Sequence, residues 1–135
     1  MNLPTLEDIK KTLEKLEETY EIVLYGSYIE NSMRPTSDID ISVLTHLQDK
    51  QKNKLIQYDL FSVAPLKYDI RVFELLPIFI QISIIKNYKV IFGDPLEISE
   101  YFYYFRKKWD DCKNRILSNQ FSSLQERLNL MKYYQ

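Results

Sequence analysis

Asp38-Ile39-Asp40-Ile41-Ser42-Val43-Leu44 alternates acids and a hydroxyl with branched apolar side chains, the period of two expected of a β-strand with one polar and one buried face. Asp38 and Asp40 then stand on the same side, one pleat apart. Carboxylates held that close repel each other and are stabilised by divalent cations. Hard oxygen donors suit Mg²⁺ or Mn²⁺, whose remaining coordination positions take water and phosphate oxygens. Asp-x-Asp alone is weak evidence: nine of the 135 residues are Asp, and two solvated acids on an edge strand would read the same way. Gly26-Ser27 sharpens it, because that dipeptide lies upstream with ten residues between Ser27 and Asp38, and composition alone would give such a pairing about once in a thousand chains. A glycine ending a strand lets backbone approach a phosphate. A serine hydroxyl, the N–H groups of the next helical turn and the positive end of that helix would then hold the anion. Gly93 is the only other glycine, so both are expected where a side chain does not fit.

Outward from this segment, helices and strands alternate. Leu6, Ile9, Leu13, Leu16 and Tyr20 recur at helical spacing behind Thr5, a candidate N-cap. Residues 22–25 form a short β-rich run stopped by Gly26, and 49–63 read as a helix. Residues 68–73 read as a strand with Ile70 and Val72 opposed to Asp69 and Arg71. Pro77 opens a buried helix through Lys86, and residues 88–92 make a last strand before the Gly93-Asp94-Pro95 turn. Ile98, Phe102, Phe105, Trp109, Cys112 and Ile116 mark one face of a long helix. A shorter one is expected from Ser123, with Glu126 completing a capping box. The fold class predicted is α/β, a mixed sheet of about four strands flanked by helices, with a C-terminal helical extension.

A chain with 45% hydrophobic and 27% charged residues is long enough for one core, so a single domain over 1–135 is expected, its core at about 5–95 and its C-terminal helices at about 96–133. The apolar run 75–85 is broken by Pro77, Gln81 and Ser83 and is too short to span a bilayer. The N-terminus lacks a signal pattern, which predicts a soluble, cytoplasmic protein. One cysteine and one histidine exclude a disulfide and a Cys/His zinc cluster, leaving carboxylates for metal chemistry. A net charge of -1 argues against a long nucleic-acid partner, whose binding needs many cationic contacts.

Gly26-Ser27 followed by Ser37-Asp38-Ile39-Asp40-Ile41-Ser42-Val43 resembles the signature of the nucleotidyltransferase superfamily that includes DNA polymerase β, and the chain resembles its minimal (MNT) branch. Less sharply, the likeness runs through Tyr68-Asp69-Ile70-Arg71-Val72 to Lys89-Val90-Ile91-Phe92-Gly93-Asp94. The resemblance implies a nucleotidyltransferase fold and nucleotide binding by Gly26, Ser27, Arg34 and Ser37. It implies metal-binding, catalytic acids at Asp38 and Asp40, and a third at Asp69, with Asp59 and Glu74 as rivals. It further implies Mg²⁺ or Mn²⁺ with ATP as substrate, and a HEPN-domain toxin partner in a hetero-oligomer. The implied role is that of an antitoxin transferring AMP to a tyrosine of that toxin. An antitoxin that only binds its partner, and a transferase acting on a small molecule such as an antibiotic, are the alternatives.

The turn departs from the family pattern. Where many relatives have a small residue, an arginine and a glycine, this chain has Ile29, Glu30 and Asn31, and Glu30 would repel a triphosphate. His46 is read as a surface histidine at a strand end, and Cys112 as inert core. In the cluster 101–109, spacing assigns Phe102, Phe105 and Trp109 to packing and leaves Tyr103 and Tyr104, beside Lys107 and Lys108, for a protein interface.

Overall fold

The structure, a computed structural model, describes residues 3–30 and 38–133, without the side chains of 114 and 116–133. Its helices are α1 (Leu6–Thr12), α2 (Lys50–Val63), α3 (Ile78–Lys86) and α4 (Pro95–Tyr133). Its strands are β1 (Glu21–Tyr25), β2 (Ile39–Leu44), β3 (Tyr68–Val72) and β4 (Lys89–Phe92). Thr5 caps α1 as expected, in a reciprocal capping box with Asp8, and Asp49 caps α2 by accepting from the N–H groups of Gln51 and Lys52.

The strands form one mixed sheet in the order β3-β2-β1-β4. β1 is antiparallel to both neighbours, and β2 is parallel to β3 through the α2 crossover. One face carries Ile22, Leu24, Ile41, Val43, Ile70 and Val72 and packs on Ile9 and Leu13 at α1 and Leu60 of α2. On the other, Val23, Leu44 and the neighbouring Phe73 meet Ile84 of α3 and Ile98 and Phe102 of α4. Burying each such side chain contributes about 1.5–3 kcal/mol. Tyr25, Asp40 and Asp69 share this second face by the alternation of their strands, but stand at its opposite end. There α3 and α4 leave Asp40 and Asp69 partly exposed and Arg71 exposed. Gln57 of α2 closes the free edge of β3: its amide nitrogen donates to the Ile70 carbonyl at 2.8 Å and its oxygen accepts from the Val72 N–H at 2.6 Å.

Two expectations need correction. The chain beyond Pro95 is one helix, α4, and not a long helix followed by a second from Ser123; no glycine or proline lies between 96 and 133 to stop it. Cys112 is exposed and is not core: it lies past Trp109, whose ring meets Phe79 at 5.5 Å, in a stretch where residues 110–113 are all exposed. Tyr103 and Tyr104 are exposed as expected. No helix among the described residues is long and apolar enough to cross a membrane.

Ser42 stands between Asp40 and Leu44 on the second face, fully buried, and its hydroxyl has no hydrogen-bond partner among the described residues. A buried hydroxyl without a partner carries an uncompensated desolvation penalty. Ser42→Ala is therefore expected to leave stability unchanged or raise it by about 1 kcal/mol; a clear drop in melting temperature would show that the hydroxyl is satisfied in solution.

Candidate active site

Asp40 is where the predicted pieces meet. In the sheet register it stands opposite Asp69 of β3 on one side and Tyr25 of β1 on the other. Asp38 lies just before β2 begins, exposed. Gly26 follows Tyr25 with φ +77°, and a Cβ built there would lie 3.0 Å from Cγ of Asp40 and 3.2 Å from its Cβ. The Asp40 carboxylate also accepts a hydrogen bond from the backbone N–H of Ser27. The Gly26-Ser27 turn and the acidic strand are thus pressed together by one carboxylate, which is why only glycine fits at the turn. The sequence placed a helix after Ser27. Among the described residues there is instead a 3-10 turn, Gly26–Tyr28, closed by the Ile29 N–H donating to the Gly26 carbonyl, which also accepts from the Glu30 N–H at 3.1 Å. A turn that short offers individual N–H groups and little macrodipole. Arg34, Ser37 and Asn31 lie outside the described residues.

Register also separates Asp69 from its rivals Asp59 and Glu74 in space. Asp69 is the direct cross-strand neighbour of Asp40. Asp59 is on α2, which covers the other face. Glu74 lies beyond the far end of β3, where its carboxylate accepts from the Thr45 N–H and hydroxyl, the His46 N–H and the Tyr101 hydroxyl. His46 is on that far side too, in contact with Glu21 and stacked 3.9 Å from Tyr101. A cavity of about 430 Å³ bounded by His46, Glu74, Tyr101 and Lys108 opens there, at the opposite end of β2 from Asp40.

Two residues escaped the sequence reading. Tyr25 faces the acids, and its phenol is pushed up to about 12, first by burial and then by the charges of Asp40 and Asp69, with Arg71 opposing. Arg71 donates from Nε to Oδ1 of Asp69 at 2.8 Å. The signal for both was the strand period, which puts Tyr25 beside Val23 and Arg71 beside Asp69 on one face.

Burial, then the charges of Asp69 and Asp38, push the Asp40 carboxyl from its ordinary 3.8 up to about 6, against the pull of the Ser27 N–H. Carboxylate oxygens crowded until they resist ionisation are the donor chemistry that suits a hard divalent ion. The set is not a finished cage: Asp69 is shared with Arg71, and no three Asp, Glu, His or Cys side chains among the described residues already stand in ligating geometry. Because the folded chain holds the Asp40 proton more tightly than the unfolded chain does, this carboxyl stabilises below pH 3.8 and that contribution is lost as pH rises through about 6. In EDTA, the melting temperature of Asp40→Asn minus that of the natural chain is therefore expected to be near zero around pH 4 and to grow to a plateau above about 6. A flat difference would show that Asp40 ionises normally.

The chain is similar to known proteins in sequence and in fold. Residues 7–95 match the family model described as polymerase beta, nucleotidyltransferase. The Methanocaldococcus jannaschii protein named "Putative protein adenylyltransferase MJ1547" is 43% identical over 119 residues, 88% of this chain and 93% of that one. In a solved toxin-antitoxin with AMP-PNP, one chain superposes with a TM-score of 0.63 at 18% identity, covering 82% of this chain and 91% of its own. In a tri-AMPylated Shewanella oneidensis HEPN toxin in complex with its MNT antitoxin, the TM-score is 0.56 at 19% identity over 82% and 87% of the two chains. These last two likenesses concern the fold. With a family model matched over residues 7–95 and a relative 43% identical over most of both chains, the chain belongs to the polymerase beta nucleotidyltransferase family.

Proposed function

We propose that this nucleotidyltransferase moves AMP from ATP to a tyrosine hydroxyl of a HEPN-type toxin, acting as that toxin's cytoplasmic antitoxin. The observation that carries the reading is the Asp40 carboxylate, which touches Gly26, accepts from Ser27 and faces Asp69 across the sheet. The relative named as a protein adenylyltransferase and the fold shared with toxin-antitoxin complexes support the acceptor class.

In this scheme the acceptor oxygen forms a bond to the α-phosphorus of ATP in line with the bond to the β-phosphate. That second bond breaks, and pyrophosphate leaves with its electron pair. Asp38, Asp40 and Asp69 would hold Mg²⁺ or Mn²⁺, which when bound would neutralise triphosphate charge and ease ionisation of the acceptor hydroxyl. Gly26 lets the backbone approach the phosphates and Ser27 hydrogen-bonds them, with Arg34 and Ser37 as further contacts. Asp69, at the acceptor side of the pair, takes the proton and passes it to solvent.

The test is to incubate the chain with α-labelled ATP, Mg²⁺ and a HEPN-domain toxin. Label on the partner, absent with Asp38→Asn, is the expected result; label only on a small acceptor overturns the reading. One observation favours a second reading, an antitoxin that neutralises by binding alone. Glu30 is exposed at the turn, where the family resemblance implies an arginine, and Arg71 engages Asp69. A tight complex without label is its signature.

A further inference from the structure

α2 turns Gln57 and Leu60 inward and leaves large apolar side chains outside. Leu55 is 69% exposed, Tyr58 76% and Leu66, just past the helix, 93%, with Phe61 and Val63 between them also exposed. Five such residues within twelve form a concentration that soluble surfaces rarely carry without a partner. The patch adjoins the acids. The Arg71 guanidinium lies 5.3 Å from the Phe61 ring centroid while its Nε donates to Asp69, so one side chain separates the apolar surface from the carboxylate at the acceptor side. The surrounding segment is basic: between residues 49 and 71, Lys50, Lys52, Lys54, Lys67 and Arg71 outnumber Asp49, Asp59 and Asp69, in a chain whose net charge is -1.

From this continuity we infer that the outer face of α2, residues 55–66, docks the acceptor protein. An apolar segment with acidic flanks would sit on Leu55, Tyr58 and Phe61 and deliver its hydroxyl to Asp69. The inference rests on the reading of the chain as a protein adenylyltransferase and adds where the protein substrate lies. A small acceptor would need no such surface, whereas a protein must cover whatever borders the acids, and the border on the β3 side is this patch. Opposite charge on the partner would speed encounter and make affinity fall with salt.

The experiment uses the full chain and the HEPN-domain toxin that it labels in the transfer assay, or binds there without label, with binding measured in EDTA without ATP so that transfer plays no part. Hydrogen exchange is expected to slow across residues 55–66 on complex formation. Leu55→Asp with Tyr58→Asp, both on the solvent side of α2, is expected to weaken Kd about tenfold or more, and Lys52→Glu with Lys54→Glu to weaken it further at low salt than at high. Protection confined to another surface, with Kd within about twofold in the Leu55/Tyr58 variant, overturns the inference; so does a homodimer of the chain that Leu55→Asp dissociates, which would make a second copy the occupant. The two readings fail differently. A natural complex with this footprint but no AMP label removes the transferase reading alone, and labelling of the partner with no footprint on 55–66 removes the dock alone.

Discussion

Asp40→Asn, and separately Asp38→Asn, are expected to lower AMP transfer by at least about a thousandfold, equivalent to the several kcal/mol that charge neutralisation at a phosphoryl centre contributes, with the fold intact. The structure makes the Asp40 variant informative, because asparagine keeps an oxygen that can accept from the Ser27 N–H and keeps the volume that sits against Gly26. The turn and the strand should stay joined. What is lost is the charge, in a group already pushed toward its neutral form by burial and by its acidic neighbours. Removing that charge cannot weaken the metal-free fold through repulsion, so the variant should melt at or above the natural temperature in EDTA at neutral pH. Asp38 is exposed and outside β2, so its amide should be silent structurally. Initial rates with α-labelled ATP at saturating Mg²⁺, beside melting curves, decide the matter. Natural turnover in either variant removes the carboxylate-metal reading, and restoration of EDTA-treated natural protein by Mg²⁺ or Mn²⁺ is the matching positive result.

Much of this was legible in the residues, for identifiable reasons. β2 and β3 show strict alternation because each has one face in the core and one carrying Asp40, Ser42, Asp69 and Arg71, so period alone located them to within a residue. Thr5, Pro77 and the Gly93 turn marked helix starts and stops by local chemistry that packing did not override. Sheet order was not legible. That β4 pairs with β1 and that Tyr25 faces Asp40 are matters of register between distant segments, and no local pattern encodes them. The length of α4 was misread for a related reason. Ser123 and Glu126 satisfy a capping box, yet a cap motif acts only where the helix has cause to start, and an uninterrupted run of helix-tolerant residues carries α4 on for 39 residues. At a rise of 1.5 Å per residue that is about 58 Å, longer than a small domain is wide. Periodicity alone assigned Cys112 to a core, but residues 110–113 all face solvent.

Gly26→Ala should combine a stability loss with a collapse of activity. Two effects act together. At φ +77° a side chain brings the left-handed penalty of about 1–2 kcal/mol, and the new methyl would stand 3.0 Å from Cγ of Asp40, closer than carbon atoms pack. The carboxylate can relieve this only by swinging away from the turn, which breaks its bond to the Ser27 N–H and shifts it relative to Asp69. Displacements of about 1 Å in a group that orients reacting phosphates lower rates by about a hundredfold. Gly93→Ala separates the two effects. Gly93 also has positive φ, at +117°, and a methyl there would press Glu21 and Ile98 at 3.0 and 3.1 Å, but none of the paired acids. Both alanine variants should melt lower, by several degrees for the backbone term alone. Compared at a temperature where each is folded, single-turnover transfer should fall by about a hundredfold in Gly26→Ala and stay within a few-fold of natural in Gly93→Ala. Equal losses in the two would mean that Gly26 serves only the fold, and that contact between the turn and Asp40 does not set the geometry in which phosphate and acid meet.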